Sequence, residues 1–237
     1  TWGKGTDSYL QMMYDRLVLM RDLLAENGSM FVHCDYHIGH YLKAVLDEIF
    51  GKDNFVNEII WRRVTAHGDR KGCGQIHDNI LWYSRSDSYY FEQPGVPLRK
   101  EYIEDFYKYE DADGRRYRLV SMNAKGAGPA RRFGDKMIIP PPGTHWRWSQ
   151  EKIDEAWAKG LIIITEGGAV HYKQYLDEHQ YQPVQSIWDD EGVRYLGAHS
   201  LEKVNFETQK PEGLVGRVIK MGCPPSGIVA DFFCGSG

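Results

Sequence analysis

The feature that most constrains the fold is the last stretch of the chain, residues 228–237. An apolar run at residues 228–230 predicts a short buried strand that ends at Asp231. Two aromatic residues, Phe232 and Phe233, and the turn Gly235-Ser236-Gly237 follow. Because glycine has no Cβ atom, such a turn offers backbone N–H groups to a ligand that approaches closely. A glycine pair by itself is equally typical of an ordinary tight turn, so its surroundings decide.

A polar loop and a helix precede this stretch. Thr208-Gln209-Lys210-Pro211 leads into residues 212–221, where apolar residues recur at helical spacing. Pro211 suits the first turn of a helix, and Glu212 suits its positive end. The order is therefore a polar loop, a helix, a turn, a strand and a glycine turn.

This order resembles the joined cofactor motifs of S-adenosylmethionine-dependent DNA amino-methyltransferases. The likeness is to the subgroup with permuted motif order, such as the type III modification subunits. Much of that family has Asp-Pro-Phe where this chain has Asp231-Phe232-Phe233. The resemblance implies that S-adenosylmethionine is the cofactor and that Lys210 faces its carboxylate. It implies these cofactor-binding residues: Asp231, Phe232, Phe233, Gly235, Ser236, Gly237, Thr208, Gln209 and Lys210.

The first 91 residues alternate helical and strand patterns. Apolar spacing predicts helices at residues 9–26 and 38–50, and strands at residues 29–34, 57–62 and 78–84. This alternation indicates an α/β fold with a layered sheet. The family resemblance extends over residues 8–85 and implies a Rossmann-like methyltransferase sheet with helices on both faces, formed by residues 1–91 and 186–237. Asp35, at the end of a predicted strand, is a candidate for the target-base pocket.

The middle of the chain, residues 92–185, departs from the α/β alternation. It has tyrosine-rich and arginine-rich segments, three successive prolines at 140–142, a predicted helix at residues 149–159 and a predicted strand at residues 161–164. We interpret this part as an inserted mixed module. The resemblance implies that it is the target-recognition region.

A basic cluster lies inside this module. Residues 115–147 contain eight lysines and arginines against one aspartate, a net charge of 8 − 1 = +7 in a chain of formal net charge −4. Interleaved aromatic residues fit phosphate contact and base stacking, although a solvated charged face remains the alternative. For the glycine-rich and charged loop at residues 65–75, a position near DNA is again one interpretation and a solvated connector is the alternative. The predicted DNA-binding residues are Arg115, Arg116, Arg118, Lys125, Arg131, Arg132, Trp146 and Arg147.

The catalytic motif of the family, an acceptor residue followed by Pro-Pro and an aromatic residue, does not occur in the sequence. Pro140-Pro141-Pro142 is followed by Gly143, and Pro224-Pro225 by Ser226. We therefore assign no catalytic residue. In the permuted order this motif precedes Thr1, so we expect the chain to be a fragment with little or no turnover alone.

Composition sets further bounds. No apolar run is long enough to span a membrane, and four cysteines without Cys-x-x-Cys spacing indicate reduced thiols in a cytoplasmic protein. His33, His37 and His40, near Cys34 and Asp35, match no zinc-binding spacing, so we predict no metal.

The sequence therefore predicts part of a site-specific DNA methyltransferase. It would transfer methyl to an exocyclic base nitrogen of double-stranded DNA, adenine N6 being favoured over cytosine N4. Its expected protein partner is a restriction subunit or a second copy. The alternative is a non-catalytic DNA-binding module of a restriction–modification complex. A dinucleotide oxidoreductase is disfavoured because Gly-x-Gly-x-x-Gly is absent.

Overall fold

The computed structural model describes residues 5–65, 68, 71–197, 200–204 and 206–235. The chain forms two compact units. The first contains Thr1–Val96 and Pro183–Gly237, and the second contains Pro97–Gln182.

The first unit is built on a four-stranded sheet with the strands in the order β1 (Ser29–Cys34), β3 (His77–Ser84), β2 (Phe55–Arg62) and β14 (Ile187–Trp188). Strand β3 is antiparallel to both β1 and β2, whereas β14 runs parallel to β2. The regular elements of this unit are α1 (Thr6–Leu23), β1 (Ser29–Cys34), α2 (Gly39–Phe50), a 3₁₀ helix (Lys52–Asn54), β2 (Phe55–Arg62), β3 (His77–Ser84), β14 (Ile187–Trp188), a second 3₁₀ helix (Glu191–Val193) and α5 (Glu212–Gly222).

This topology brings polar residues to one end of the sheet. The carboxyl ends of β1 and β2 lie beside the amino end of β3, because β3 runs in the opposite direction between them. Cys34 pairs with Asn79, and Trp61 pairs with Asp78. In open α/β sheets the carboxyl ends of the strands are the usual place for ligands.

Helices cover both faces of the sheet. Alternate residues of β3 point to opposite faces, so Leu81 packs with α1 and α2 in one core cluster. Trp82 packs with α5 in the other, together with Trp61 and Trp188. Because both faces are covered, the central strand β3 is buried along nearly its whole length.

The predicted strand at residues 228–230 is wrong. These residues form no regular element, and Ile228 and Val229 are 95% and 53% exposed. Burial of a short apolar run requires neighbouring strands on which to pair, and the sheet order of the first unit does not include this segment.

The second unit contains a four-stranded antiparallel sheet with the strands in the order β11 (Ile162–Ile164), β12 (Val170–Tyr175), β6 (Arg116–Ser121) and β5 (Tyr109–Glu110). It also contains two two-stranded antiparallel sheets, which pair β7 (Asn123–Lys125) with β10 (Thr144–Trp146) and β8 (Arg131–Phe133) with β9 (Lys136–Ile138). Phe133, Trp146 and Ile153 lie in its core. The elements here and at its boundary are β4 (Gly95–Pro97), α3 (Lys100–Phe106), β5 (Tyr109–Glu110), β6 (Arg116–Ser121), β7 (Asn123–Lys125), β8 (Arg131–Phe133), β9 (Lys136–Ile138), β10 (Thr144–Trp146), α4 (Gln150–Ala158), β11 (Ile162–Ile164), β12 (Val170–Tyr175) and β13 (Tyr181–Pro183).

The mixed α/β class is confirmed by these elements. Helix α4 agrees with the predicted helix, and Ser149 caps it by accepting a hydrogen bond from the Lys152 N–H. The Rossmann-like sheet, the domain limits and the target-recognition role of the central segment stay predictions. In the described part of the chain, no helix is both long and apolar enough to cross a membrane.

Candidate functional site

The loop before α5 is held together by its own side chains. The Gln209 amide donates to the Glu202 carbonyl at 2.6 Å and accepts from the Val204 N–H at 2.8 Å. The Lys210 ammonium donates to the Thr208 carbonyl at 2.7 Å. Thus Gln209 shapes the loop, and Lys210 brings a half-buried cation to it.

Gly235, the first glycine of the terminal motif, lies against Phe206 of this loop. Gly235 has a φ of 67°, in the left-handed region that favours glycine, and a Cβ atom there would approach the Phe206 ring to 2.6 Å. Asp231 Oδ1 accepts from the Phe233 N–H at 2.8 Å, which closes a turn at the start of the motif. The structure therefore places Gly235 of the terminal motif against Phe206, two residues before the predicted motif that begins at Thr208.

The aromatic residues of the motif are open to solvent. Phe232 and Phe233 are 56% and 52% exposed. Exposed aromatic rings are available to stack on a flat ligand such as a nucleoside. The predictions for Ser236 and Gly237 lie outside the described residues.

A charged cluster that the sequence did not reveal lies where the carboxyl ends of β1 and β2 meet the amino end of β3. Asp78 is 5% exposed. Its Oδ2 contacts His33 Nε2 at 2.9 Å, and its Oδ1 lies 3.3 Å from Arg63 Nε. Burial lowers the pKa of Lys210, the charge of Asp78 acts against that shift, and the charge of Arg63 adds to it.

Asp35 follows β1 and is exposed. Its carboxylate accepts from the His37 N–H at 3.0 Å and contacts His37 Nδ1 at 3.2 Å, so it stabilises the turn into α2. Its proposed place in a target-base pocket stays a prediction. Burial, with the nearby charges of Asp35, Asp78 and Glu58, raises the pKa of the Cys34 thiol to about 12. This thiol is consequently protonated at neutral pH and is no nucleophile.

Two of the three histidines between residues 33 and 40 contact nearby carboxylates. His33 contacts Asp78, and His37 contacts Asp35. Among the residues that the structure describes, no group of three or more histidine, cysteine or acidic side chains is placed to hold a metal ion.

Several arginines of the basic cluster hold the second unit together. Arg115 forms ion pairs with Asp177 at 2.9 Å and Glu178 at 2.7 Å, and its guanidinium lies 3.8 Å from the Tyr175 ring centroid. Arg116 donates to the Tyr107 carbonyl at 2.8 Å.

Two further arginines of the cluster are also bound within the unit. Arg118 contacts Gln174 and Tyr102, and Arg132 pairs with Asp154 at 3.0 Å. The cluster is thus less cationic at its surface than the sequence suggests.

Trp146 is a core residue, which corrects its predicted role in stacking on DNA. It is 7% exposed, its ring centroid lies 5.0 Å from that of Phe133, and its indole N–H donates to the Ile138 carbonyl at 3.1 Å. The alternation of strand β10 turns its indole inward.

Lys125, Arg131 and Arg147 are the other cationic residues of the predicted DNA-binding set. Lys125 and Arg147 are exposed and Arg131 is half-buried. Arg147 Nε donates to the Asn123 carbonyl at 3.0 Å, which fixes the base of this side chain beside β7.

Comparison with known proteins identifies relatives. A family model described as DNA methylase matches residues 3–237. The type II methyltransferase M.EcaI of Enterobacter cloacae is 31% identical over 97% of this chain and 51% of its own length. The StyLTI Mod subunit, a type III restriction-modification enzyme of Salmonella typhimurium, is 29% identical over 99% of this chain and 38% of its own length. The type II methyltransferase M.KpnI of Klebsiella pneumoniae is 25% identical over 98% of this chain and 61% of its own length. The chain thus spans about half the length of these relatives.

Proposed function

The chain belongs to the DNA methylase family whose model matches residues 3–237, and we propose that it is part of a site-specific DNA methyltransferase. The protein would transfer methyl from S-adenosylmethionine to an exocyclic nitrogen of a base in double-stranded DNA. The observation that supports this most is the close approach of Gly235, in the terminal motif, to Phe206, two residues before the motif that begins at Thr208.

The residues around this meeting point suit the parts of the cofactor. Lys210 would pair with the methionine carboxylate as a compact cation, and the exposed rings of Phe232 and Phe233 would contact the nucleoside. Asp231 sets the turn that carries both rings. When bound, the cofactor supplies a methyl group on a positively charged sulfur. The contribution of this chain would be to bind and orient it.

Adenine N6 is proposed as the target in preference to cytosine N4, on the likeness to type III modification subunits. The Mod subunits among the relatives also suggest a restriction subunit as the protein partner. Mass spectrometry of nucleosides released from modified DNA would distinguish the two methylated bases.

The cofactor proposal predicts that Lys210→Met weakens S-adenosylmethionine binding about tenfold, because a charge-assisted contact worth about 1.4 kcal/mol is lost. Isothermal titration of the full-length protein with S-adenosylmethionine measures this change. Lys203→Met is the matched control, since Lys203 is an exposed lysine close by in the chain. Absence of binding by the unaltered protein would refute the cofactor proposal, and equal affinities would refute only the role of Lys210.

The DNA proposal predicts a change in salt dependence. Lys125, Arg131 and Arg147 would contact phosphates, so each change to glutamine should reduce the slope of log affinity against log salt by about 0.9. Fluorescence anisotropy with a labelled duplex at several salt concentrations measures the slope. Arg115→Gln is the control and should leave it nearly unchanged, because Asp177 and Glu178 already hold this guanidinium. If a variant with all three residues changed to glutamine has an unchanged slope, the proposal is contradicted.

The alternative function, a non-catalytic DNA-binding module, predicts a different pair of results. DNA affinity would be the same with and without S-adenosylmethionine, and titration with the cofactor would release no heat.

A further inference from the structure

The hairpin of β8 and β9, called here the β8–β9 hairpin, carries two apolar side chains on its outer face. Met137 lies in β9, and Ile139 directly follows this strand. Their side chains are 68% and 78% exposed. Because alternate residues of a strand point to the same face, the two apolar side chains lie next to each other in solvent.

The inner face of the β8–β9 hairpin is packed into the second unit. Phe133 is completely buried, and its ring centroid lies 5.0 Å from that of Trp146. The side chain of Gln150, at the start of α4, accepts from the Arg132 N–H at 2.9 Å and donates to the Arg132 carbonyl at 2.8 Å. Strand β8 is therefore held by the core on one side and by α4 on the other.

The turn of the hairpin is held in place as well. Gly134 has a φ of 60°, in the left-handed region that favours glycine. A Cβ atom on Gly134 would lie 2.6 Å from the Trp157 ring of α4. The exposed pair, Met137 and Ile139, thus belongs to a hairpin whose backbone is fixed at its turn and along β8.

Positive charge accompanies the exposed apolar pair. Residues 131–139 contain three cationic residues against one aspartate, a net charge of 3 − 1 = +2. Arg132 is the cross-strand partner of Met137. Although Arg132 pairs with Asp154, its side chain is 57% exposed. A single exposed apolar residue is ordinary, but an apolar pair on a cationic hairpin is suited to a polyanion that also presents apolar groups.

Duplex DNA combines these features in its major groove. A two-stranded β-ribbon fits into this groove, and the C5 methyl group of thymine is the apolar group that the bases present there. Phosphates along the groove attract cations but carry no sequence information, whereas contact with the methyl group distinguishes thymine from other bases. Met137 and Ile139 therefore have the chemistry of sequence recognition.

We propose that the β8–β9 hairpin enters the major groove of DNA, where Met137 and Ile139 contact thymine methyl groups and determine part of the recognised sequence. This inference rests on the proposed function, in which double-stranded DNA is the substrate. It adds two uncharged residues to the predicted DNA-binding set, which consists of cationic residues and Trp146.

The test compares the full-length protein with a variant that carries both Met137→Gln and Ile139→Gln. Each protein is mixed with a pool of random-sequence duplexes, and the retained duplexes are sequenced to find the preferred site. The preferred duplex of the unaltered protein is then made with thymine and with uracil, which lacks the methyl group. Leu19→Gln with Leu23→Gln is the matched control, because these two leucines of the first unit are similarly exposed, at 65% and 72%.

We expect the unaltered protein and the control to bind the thymine duplex about tenfold more tightly than the uracil duplex. The variant with Met137→Gln and Ile139→Gln should bind both duplexes equally, with the affinity that the unaltered protein has for the uracil duplex. Its slope of log affinity against log salt should be unchanged, because no phosphate contact is removed. Since both side chains are exposed, the variant should fold normally.

Equal sensitivity of the unaltered protein and the variant to uracil would overturn the proposal. If the outer face of the hairpin instead binds a second copy of the chain, light scattering would show a smaller assembly for the variant and the preference for thymine would be unchanged, which also overturns it. Failure of the proposed function has a separate signature, because the unaltered protein then enriches no sequence from the pool and both proposals fall. Failure of the hairpin inference alone leaves a preferred site that both proteins share.

Discussion

Gly213→Ala is expected to destabilise the first unit by roughly 1–3 kcal/mol, the usual range for a side chain forced into a filled space. A Cβ atom on Gly213 would collide with the Gly192 carbonyl in the 3₁₀ helix Glu191–Val193. That carbonyl is backbone, so the 3₁₀ helix would have to move away from α5. Urea unfolding followed by circular dichroism measures the loss.

Gly216→Ala in the same helix is the matched control. A Cβ atom at Gly216 meets no described atom within 4 Å, so the higher helix propensity of alanine should stabilise the protein by about 0.5–1 kcal/mol. A Gly213→Ala variant as stable as the Gly216→Ala variant would show that the two helices do not pack this closely.

The sequence could not distinguish these two glycines. Both lie inside the predicted helix at residues 212–221, and both count only as weak helix formers. Glycine is needed at position 213 because a backbone segment about twenty positions earlier in the chain lies against it. Apolar spacing predicts the helix, but it carries no information about which segment packs on it.

The local spacing of apolar residues predicted helices and strands well where elements that are neighbours in the chain also pack together. Strand β1 was predicted with its observed bounds, Ser29–Cys34, and α2 differs from its prediction by one residue. The run at residues 228–230 has the same apolar character and is exposed. Burial depends on sheet partners, and those cannot be deduced from three apolar residues.

The candidate site was predictable in part for the same reason. The motif around Lys210 is contiguous, so its resemblance could be recognised. Asp78, His33 and Arg63 are separated in sequence and meet because β3 lies antiparallel between β1 and β2. An acidic residue at the start of a predicted strand with an apolar centre, residues 80–83, was the available signal.

Asp190→Asn is expected to cost about 3 kcal/mol at neutral pH, because it leaves a buried arginine without its counter-charge. Both Asp190 oxygens lie 2.7 Å from the terminal nitrogens of Arg217. The Arg217 side chain is 9% exposed and packs over Trp188, with 5.0 Å between guanidinium carbon and ring centroid. Asparagine keeps the shape and can still accept from the Gly192 N–H. Urea unfolding at pH 7 measures the difference.

The difference in unfolding free energy between the unaltered protein and Asp190→Asn should decrease at low pH. Burial alone would raise the pKa of Asp190, but the hydrogen bonds and charge of Arg217 hold it below its usual value. A carboxyl group with a lowered folded pKa stabilises the fold above its unfolded pKa of about 3.9, and this contribution is lost as the pH falls through the folded pKa. The gap between the unaltered protein and Asp190→Asn should therefore stay constant from about pH 7 to about pH 5 and narrow below about pH 4.

Arg217→Met, alone and combined with Asp190→Asn, separates the ion pair from other effects. Methionine retains the apolar contact with Trp188 and removes the charge. If the ion pair is the cause, the double variant should be more stable than the sum of the two single losses implies. The difference in unfolding free energy between Arg217→Met and the double variant should then not narrow below about pH 4. Strictly additive losses would mean that Asp190 stabilises the 3₁₀ helix through the Gly192 N–H at 3.0 Å and that the arginine contributes independently.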